Sequence, residues 1–161
     1  MTEMVDPYIG LQSFQRALLN GLIVPSPCEI YPEISILKDD ADEQPRLTYA
    51  LIDNNTVKAT VVYVPAQPID GVCCFDVGYS VAENFRNQGI ATQVLEKSIA
   101  EMRRGFGRHM KKFYIEAVIG TSNFASQKVA SKVLSTDSAP RETIDSVSGQ
   151  PALVYTRLIE C

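Results

Sequence analysis

A chain of 161 residues, 45% hydrophobic and 21% charged, can bury a real core as one domain and does not have the composition of a disordered segment. Its 15 Lys and Arg against 19 Asp and Glu leave a formal charge of −4 at pH 7, which gives no general attraction to nucleic-acid phosphates or anionic lipid. Four cysteines without C-x-x-C or other paired ligand spacing, and a single histidine, argue against zinc.

The opening MTEMVDPYIG places acidic residues and a proline where a secretory leader needs a basic start and an apolar stretch, and no apolar run approaches the length of a membrane span. The expectation is a cytoplasmic protein with neither nucleic acid nor membrane as partner. Leu11, Phe14, Leu18, Leu19 and Leu22 share one face at helical spacing, so an amphipathic helix is expected within 7–24, ended by the prolines of VPSPCEIYPE. ISILKDDADEQP offers a short strand over 34–37, and the acidic stretch 39–43 reads as a solvated loop. RLTYALID and VKATVVYV are β-rich runs joined by Asn54-Asn55, residues that tolerate a left-handed turn, so a hairpin is expected. VCCFDVGYSV then reads as a third strand, and Gly78 inside it implies either a bulge or a close approach by another part of the chain.

A helix starts near Gly89, with Ala91, Val94, Leu95, Ile99 and Met102 on one face, and Arg103, Arg104 and Gly105 at its end. FYIEAVI is a strand, NFASQKVASKVL a helix, and ETIDSV with ALVYTRLI a hairpin around Ser148-Gly149-Gln150. The order is helix, three strands, helix, strand, helix, two strands. Nothing repeats and nothing marks a boundary, so residues 1–161 are read as one domain.

The stretch ENFRNQGIATQVLEK carries the chemistry. The first N–H groups of a helix lack internal partners and sit at the positive end of its dipole. Gly89 removes a side chain from their neighbourhood, Ala91 keeps the first turn small, and Arg86 can add charge-assisted hydrogen bonds, which together suit a pyrophosphate. There is no G-x-x-x-x-G-K-[ST] and no G-x-G-x-x-G, so nucleotide hydrolysis and hydride transfer lack their usual support. Taken alone, so short a string as R-x-x-G-x-A more often marks a surface arginine and a turn glycine than a phosphate site.

In its setting, VGYSVAENFRNQGIATQVLEKSI resembles the acetyl-CoA signature [RQ]-x-x-G-x-[GA] of the GNAT superfamily of N-acetyltransferases, with Arg86, Gly89 and Ala91 in the diagnostic positions. YIEAVIGTSNFASQKVASKV is similar to the strand and helix on the far side of the cofactor cleft in the ribosomal-protein N-acetyltransferase branch: Ile115-Glu116-Ala117 matches the strand, and Asn123, Ser126 and Val129 match an N-x-x-S-x-x-V helix. The order of elements matches from about Leu47 onward, and the motif detail runs from Gly78 to Val133.

This resemblance implies an α/β acyl-CoA N-acyltransferase fold, a single-domain mixed central sheet with a bulged, splayed central strand and flanking helices. It implies acetyl-CoA as cosubstrate, an amine as acceptor, either a protein N-terminus or a small molecule, and a homodimer as one possible state. Gly78, Tyr79, Ser80 and Val81 would meet the pantetheine arm, with the Val81 amide donating to the thioester oxygen. Arg86, Asn87, Gln88, Gly89, Ile90 and Ala91 would hold the pyrophosphate, and Asn123 and Ser126 would line the opposite wall.

Two departures bear on function. LSTDSAP stands where relatives carry a glycine and an aromatic after the second motif helix. Ala130 stands where many carry a tyrosine, placed to protonate the departing thiolate. The second favours an alternative, a catalytically silent acyl-CoA-binding sensor or partner module.

Amine acetylation needs a proton acceptor. Glu116 sits in an otherwise apolar strand, on the face shared with Tyr114 and Val118, and is either that base or a paired structural carboxylate. Asp76, sharing a face with Cys74, Gly78 and Ser80, competes with it or is a hydrogen-bonded strand residue. Cys73 and Cys74 point to opposite faces with no histidine nearby and read as packing residues, and RRGFGRHMKK reads as a solvated helix end rather than a contact for the cofactor's ribose phosphate.

Overall fold

The computed structural model describes residues 6–136 and 138–161. The first five residues of the opening stretch and Asp137 within LSTDSAP lie outside the described residues.

Helix α1 (Pro7–Leu19) starts at Asp6, whose carboxylate accepts the Tyr8 amide at 2.9 Å, and Pro7 stands at the first helical position, where a missing N–H costs nothing. It buries Leu11 and Phe14 and stops at Asn20-Gly21, five residues short of the expected limit at 24. Leu19 and Leu22, placed on the apolar face by spacing alone, are exposed: Leu19 is the last helical residue, and Leu22 follows Gly21, where the chain turns at φ 68°.

Strands β1 (Ser26–Pro27), β2 (Ile34–Ala41), β3 (Gln44–Asp53), β4 (Thr56–Ile69) and β5 (Val72–Val81) follow, each antiparallel to the next. The acidic segment read as a loop is the tip of a hairpin. Asp42 and Glu43 take φ of 50° and 65° to turn it, and Asp39 faces Arg46 across the pair through two hydrogen bonds of 2.9 and 2.6 Å. The expected turn at Asn54-Asn55 is present with φ of 50° and 63°.

After β5 come α2 (Ile90–Phe106), β6 (Lys112–Gly120), α3 (Phe124–Val133), β7 (Arg141–Ile144) and β8 (Pro151–Glu160). Gly105 lies inside α2, and the helix closes at Gly107, whose amide bonds the Arg103 carbonyl at 3.0 Å. The single sheet has the order β1-β2-β3-β4-β5-β6-β8-β7, with β5 and β6 the one parallel pair among the described strands.

The main core lies between the sheet and α2 with α3: Ile34, Val61, Tyr63, Leu95, Phe113 and Ile115 are almost entirely enclosed. A smaller core under α1 joins Leu11 and Phe14 to Ala50 and Val57 on the other face. Two buried polar contacts tie α2 down. Ser98 shares a 2.7 Å hydrogen bond with the Tyr63 hydroxyl, and the Glu101 carboxylate accepts from the amides of Ile30 and Tyr31 at distances of 2.7 to 3.1 Å.

Candidate active site

The site begins where the sheet opens. β5 and β6 pair at Cys74↔Tyr114, Phe75↔Ile115 and Asp76↔Glu116, and then both continue, to Val81 and Gly120, without pairing. Against β4 the register of β5 stays unbroken from Cys74 to Val81, so the splay arises on the β6 side and no register shift marks a bulge at Gly78. Of the two readings of Gly78 the close approach is the one observed: a Cβ there would come within 3.3 Å of the Pro7 ring, so glycine lets α1 sit against the central strand. Val77 to Val81 thus present an edge in the middle of an eight-stranded sheet, a geometry suited to binding an extended amide-bearing arm.

At the end of that edge a short 3₁₀ turn (Glu83–Phe85) leads into α2. Gly89 is the N-cap at φ 74°, no side chain caps the helix, and a Cβ at Gly89 would meet nothing within 4 Å. The left-handed backbone is what demands glycine, and the space before the first amides is open. Asn87, also left-handed at φ 63°, Gln88 and Gly89 are exposed, whereas the half-buried side chains of Ile90 and Ala91 pack against the core.

Arg86 folds back: its Nε donates to the Val81 carbonyl at 3.1 Å, and its guanidinium lies 4.8 Å from the Tyr8 ring centre. The arginine is thereby held beside the helix start by α1. Tyr8 and Pro7 are parts of the site that the sequence reading lacked, because nothing in local spacing ties 7–8 to 78–86.

The opposite wall is α3. Asn123 is its N-cap, its side-chain oxygen accepting the Ser126 amide at 3.2 Å, so this motif asparagine shapes the helix start. Tyr79, expected to meet the cofactor, is buried on the α2 side and donates its hydroxyl to the Ser126 carbonyl at 2.6 Å, tying β5 to α3 across the splay. Ala130 is fully enclosed. Ser80 lies on the α1 face opposite Thr60 of β4.

At the fork itself Asp76 and Glu116 are register partners on one face. Thr156 of β8 donates to Glu116 at 3.4 Å, and among the described residues neither carboxylate takes part in an ion pair. Burial, and then the neighbouring Glu116, hold the Asp76 carboxyl above its usual range. Cys74 beside them is buried and its thiol is pushed up to about 12, so it packs as an unreactive thiol. Its neighbour Cys73 is exposed, contrary to the packing role read for both.

Among the described residues no group of His, Cys, Asp and Glu has the makings of a metal site, and no helix is long and apolar enough to cross a membrane.

A mixed sheet split at its parallel pair, with a glycine-started helix at the mouth of the split, is the architecture of the acyl-CoA N-acyltransferase fold. The chain belongs to the acetyltransferase (GNAT) family, whose profile matches residues 14–134; the cosubstrate of that family is acetyl-CoA. Similar solved structures include RimL, a ribosomal L7/L12 α-N-protein acetyltransferase in complex with coenzyme A, at 24% identity and TM-score 0.53 over 71% of this chain and 62% of that one. A ribosomal-protein-alanine N-acetyltransferase from Brucella melitensis aligns with 98% of this chain and 81% of its own, at 18% identity and TM-score 0.53. A GNAT-family acetyltransferase from Streptococcus pneumoniae aligns at 16% identity and TM-score 0.51, over 74% of this chain and 69% of its own. No curated protein matches the chain in sequence.

Proposed function

We propose that the protein moves an acetyl group from acetyl-CoA to an amine, with a protein N-terminal amine as the preferred acceptor. The observation that carries this is the parting of β5 from β6 immediately before an uncapped helix that begins on a left-handed glycine. Acetyl-CoA supplies an activated acetyl group as its thioester. The open amides at the start of α2, with Gly89 clear of them and Arg86, Asn87 and Gln88 beside them, would hold the pyrophosphate. The free edge from Gly78 to Val81 would hold the pantetheine arm, and the Val81 amide would polarise the carbonyl.

An amine attacks only after losing its proton. Glu116, the register partner of Asp76 at the fork, takes that proton from the acceptor ammonium. Asn123 and Ser126 frame the other wall through the start of α3. The N-terminal-amine preference rests on the resemblance of the β6–α3 segment to ribosomal-protein acetyltransferases; a small-molecule amine is the alternative within the same chemistry.

Ala130 favours one different reading, an acyl-CoA-binding module without transfer, because its methyl group can protonate nothing. Chromatographic detection of free CoA, from acetyl-CoA incubated with N-terminal peptides and with small amines, decides between them. Transfer predicts acceptor-dependent CoA release, cut about a hundredfold or more by Glu116→Gln with acetyl-CoA affinity kept. Tight calorimetric binding with no release for any acceptor would establish the silent module instead.

A further inference from the structure

A second opening lies at the other end of α2, about 25 Å of helix away from Gly89 at 1.5 Å per residue. It is a cavity of about 620 Å³ on the α2 face of the sheet, walled by Ile36, Leu47, Tyr49, Phe75, Met102 and Phe106. That volume and lining suit a small organic ligand.

Its lining carries both donors and acids: Tyr49, Lys38, Arg108 and His109 beside Glu29 and Glu101. Tyr49 is 3% exposed, and its ring stands edge-on to Tyr63 with centroids 5.9 Å apart, which fixes its direction. Unlike the Tyr63 hydroxyl, which is bonded to Ser98, the Tyr49 hydroxyl has no hydrogen-bond partner among the described residues. The sealed, unpartnered side-chain polar atoms among those residues are Thr60 Oγ1 and Ser135 Oγ, so the Tyr49 hydroxyl is not sealed, and the open volume it borders is this cavity. Burial pushes the Tyr49 phenol up, which keeps it a donor.

The hairpin register sets Tyr49 opposite Ile36, with Lys38 two residues further on the same face, so hydroxyl and ammonium share one wall. Lys38 has no ion-pair partner among the described residues, and His109 stands at the same mouth. The acids at this cavity are already engaged: Glu29 by Arg104 and Arg108, and Glu101 by the amides of Ile30 and Tyr31. Free donors over an aromatic floor, with no free acceptor, select an anion that carries an apolar body.

We propose that this cavity is a binding site for a small aromatic carboxylic acid, its ring among Phe75, Met102 and Phe106 and its carboxylate between the Tyr49 hydroxyl and Lys38. The site is separate from the β5–β6 cleft and does not depend on the transfer reaction.

The test is calorimetry on the full chain with 2-naphthoate, the neutral 2-naphthamide and the cationic 2-naphthylmethylamine. The expected result is saturable one-to-one binding, tightest for the acid and weakest for the amine, and retained when acetyl-CoA is present. Tyr49→Phe should weaken the acid by about fivefold, the loss of one net hydrogen bond, with the amide affected less. Lys38→Glu, an exposed change that leaves the core intact, should reverse the preference between acid and amine, and it decides the matter even if Tyr49→Phe lowers the melting temperature. Equal binding of all three probes, an acid preference unchanged in Lys38→Glu, competitive displacement by acetyl-CoA, or no saturable binding at millimolar probe would each overturn the proposal. So would a dimer in sedimentation that Lys38→Glu dissociates and naphthoate does not, since the cavity would then be covered by a second copy.

Discussion

Asp76 shows how a single residue couples stability to function. Its carboxyl is held up by burial and by Glu116, so the folded state binds its proton more tightly than the unfolded chain does. The stability associated with that proton is fully present below the ordinary carboxyl range, near pH 4, and is lost as pH rises through the higher folded value. Asp76→Asn should therefore melt above the wild type at pH 7, with the gain shrinking toward zero below about pH 4, while CoA release falls because Glu116 loses its partner. Thermal melts across that range check the first statement and turnover checks the second. Alternation within FYIEAVI made Glu116 visible as a carboxylate in an apolar strand. Its pairing with Asp76 was not legible, because the register of two parallel strands is set by the way α2 packs across them, which no local pattern records.

Individual elements were legible wherever one face is buried and the other wet. β5, α2, β6 and α3 sit at the centre of the sheet or against it, and their apolar spacing and caps locate them to within a residue or two. β2 escaped beyond Leu37 because it lies one short strand from the sheet edge and is half-solvated along its length, so Lys38, Asp39 and Asp40 carry no alternation and mimic a loop. The start of α2 offers an element-scale test. Gly89→Val places a β-branched residue at φ 74°, at a cost of about 1–2 kcal/mol or more, and sets its methyl groups over the open amides. Acetyl-CoA affinity should fall by about a hundredfold, as expected for losing two charge-assisted hydrogen bonds, while pantetheine without the nucleotide half should be held as in the wild type. Calorimetry with both ligands, beside melts, separates the two effects. At the middle of the same helix, Glu101→Gln keeps the shape but removes the charge that receives the amides of Ile30 and Tyr31. The expected loss is about 2 kcal/mol, or roughly 4–8 °C in melting temperature, with acetyl-CoA affinity unchanged because Glu101 is three turns from the cradle.

At the scale of the whole molecule, the order of elements from Leu47 onward was readable, and its match to the family extends through α3. In the N-terminal third, α1 and the start of β2 were readable but the place of α1 was not, since it contributes to the site only by crossing the sheet face to set Pro7 on Gly78 and Tyr8 under Arg86. The antiparallel run from β1 to β5 and the later β6, β8 and β7 are each continuous ladders, and the three pairs from Cys74 to Asp76 are what join them in the sheet.

That narrow join has a consequence for amide hydrogens. In most sheets the central strands exchange slowest with solvent, since both their edges are bonded. Here the amides of Val77 to Val81 that point toward β6 have a strand on the β4 side alone, so they should exchange as readily as an outer edge while their β4-bonded neighbours one residue away remain protected. Deuterium uptake along β5 should alternate from residue to residue, and saturating acetyl-CoA should erase the alternation by serving as the missing strand. Uniform slow uptake along 77–81 in the ligand-free protein would mean that the gap is closed in solution.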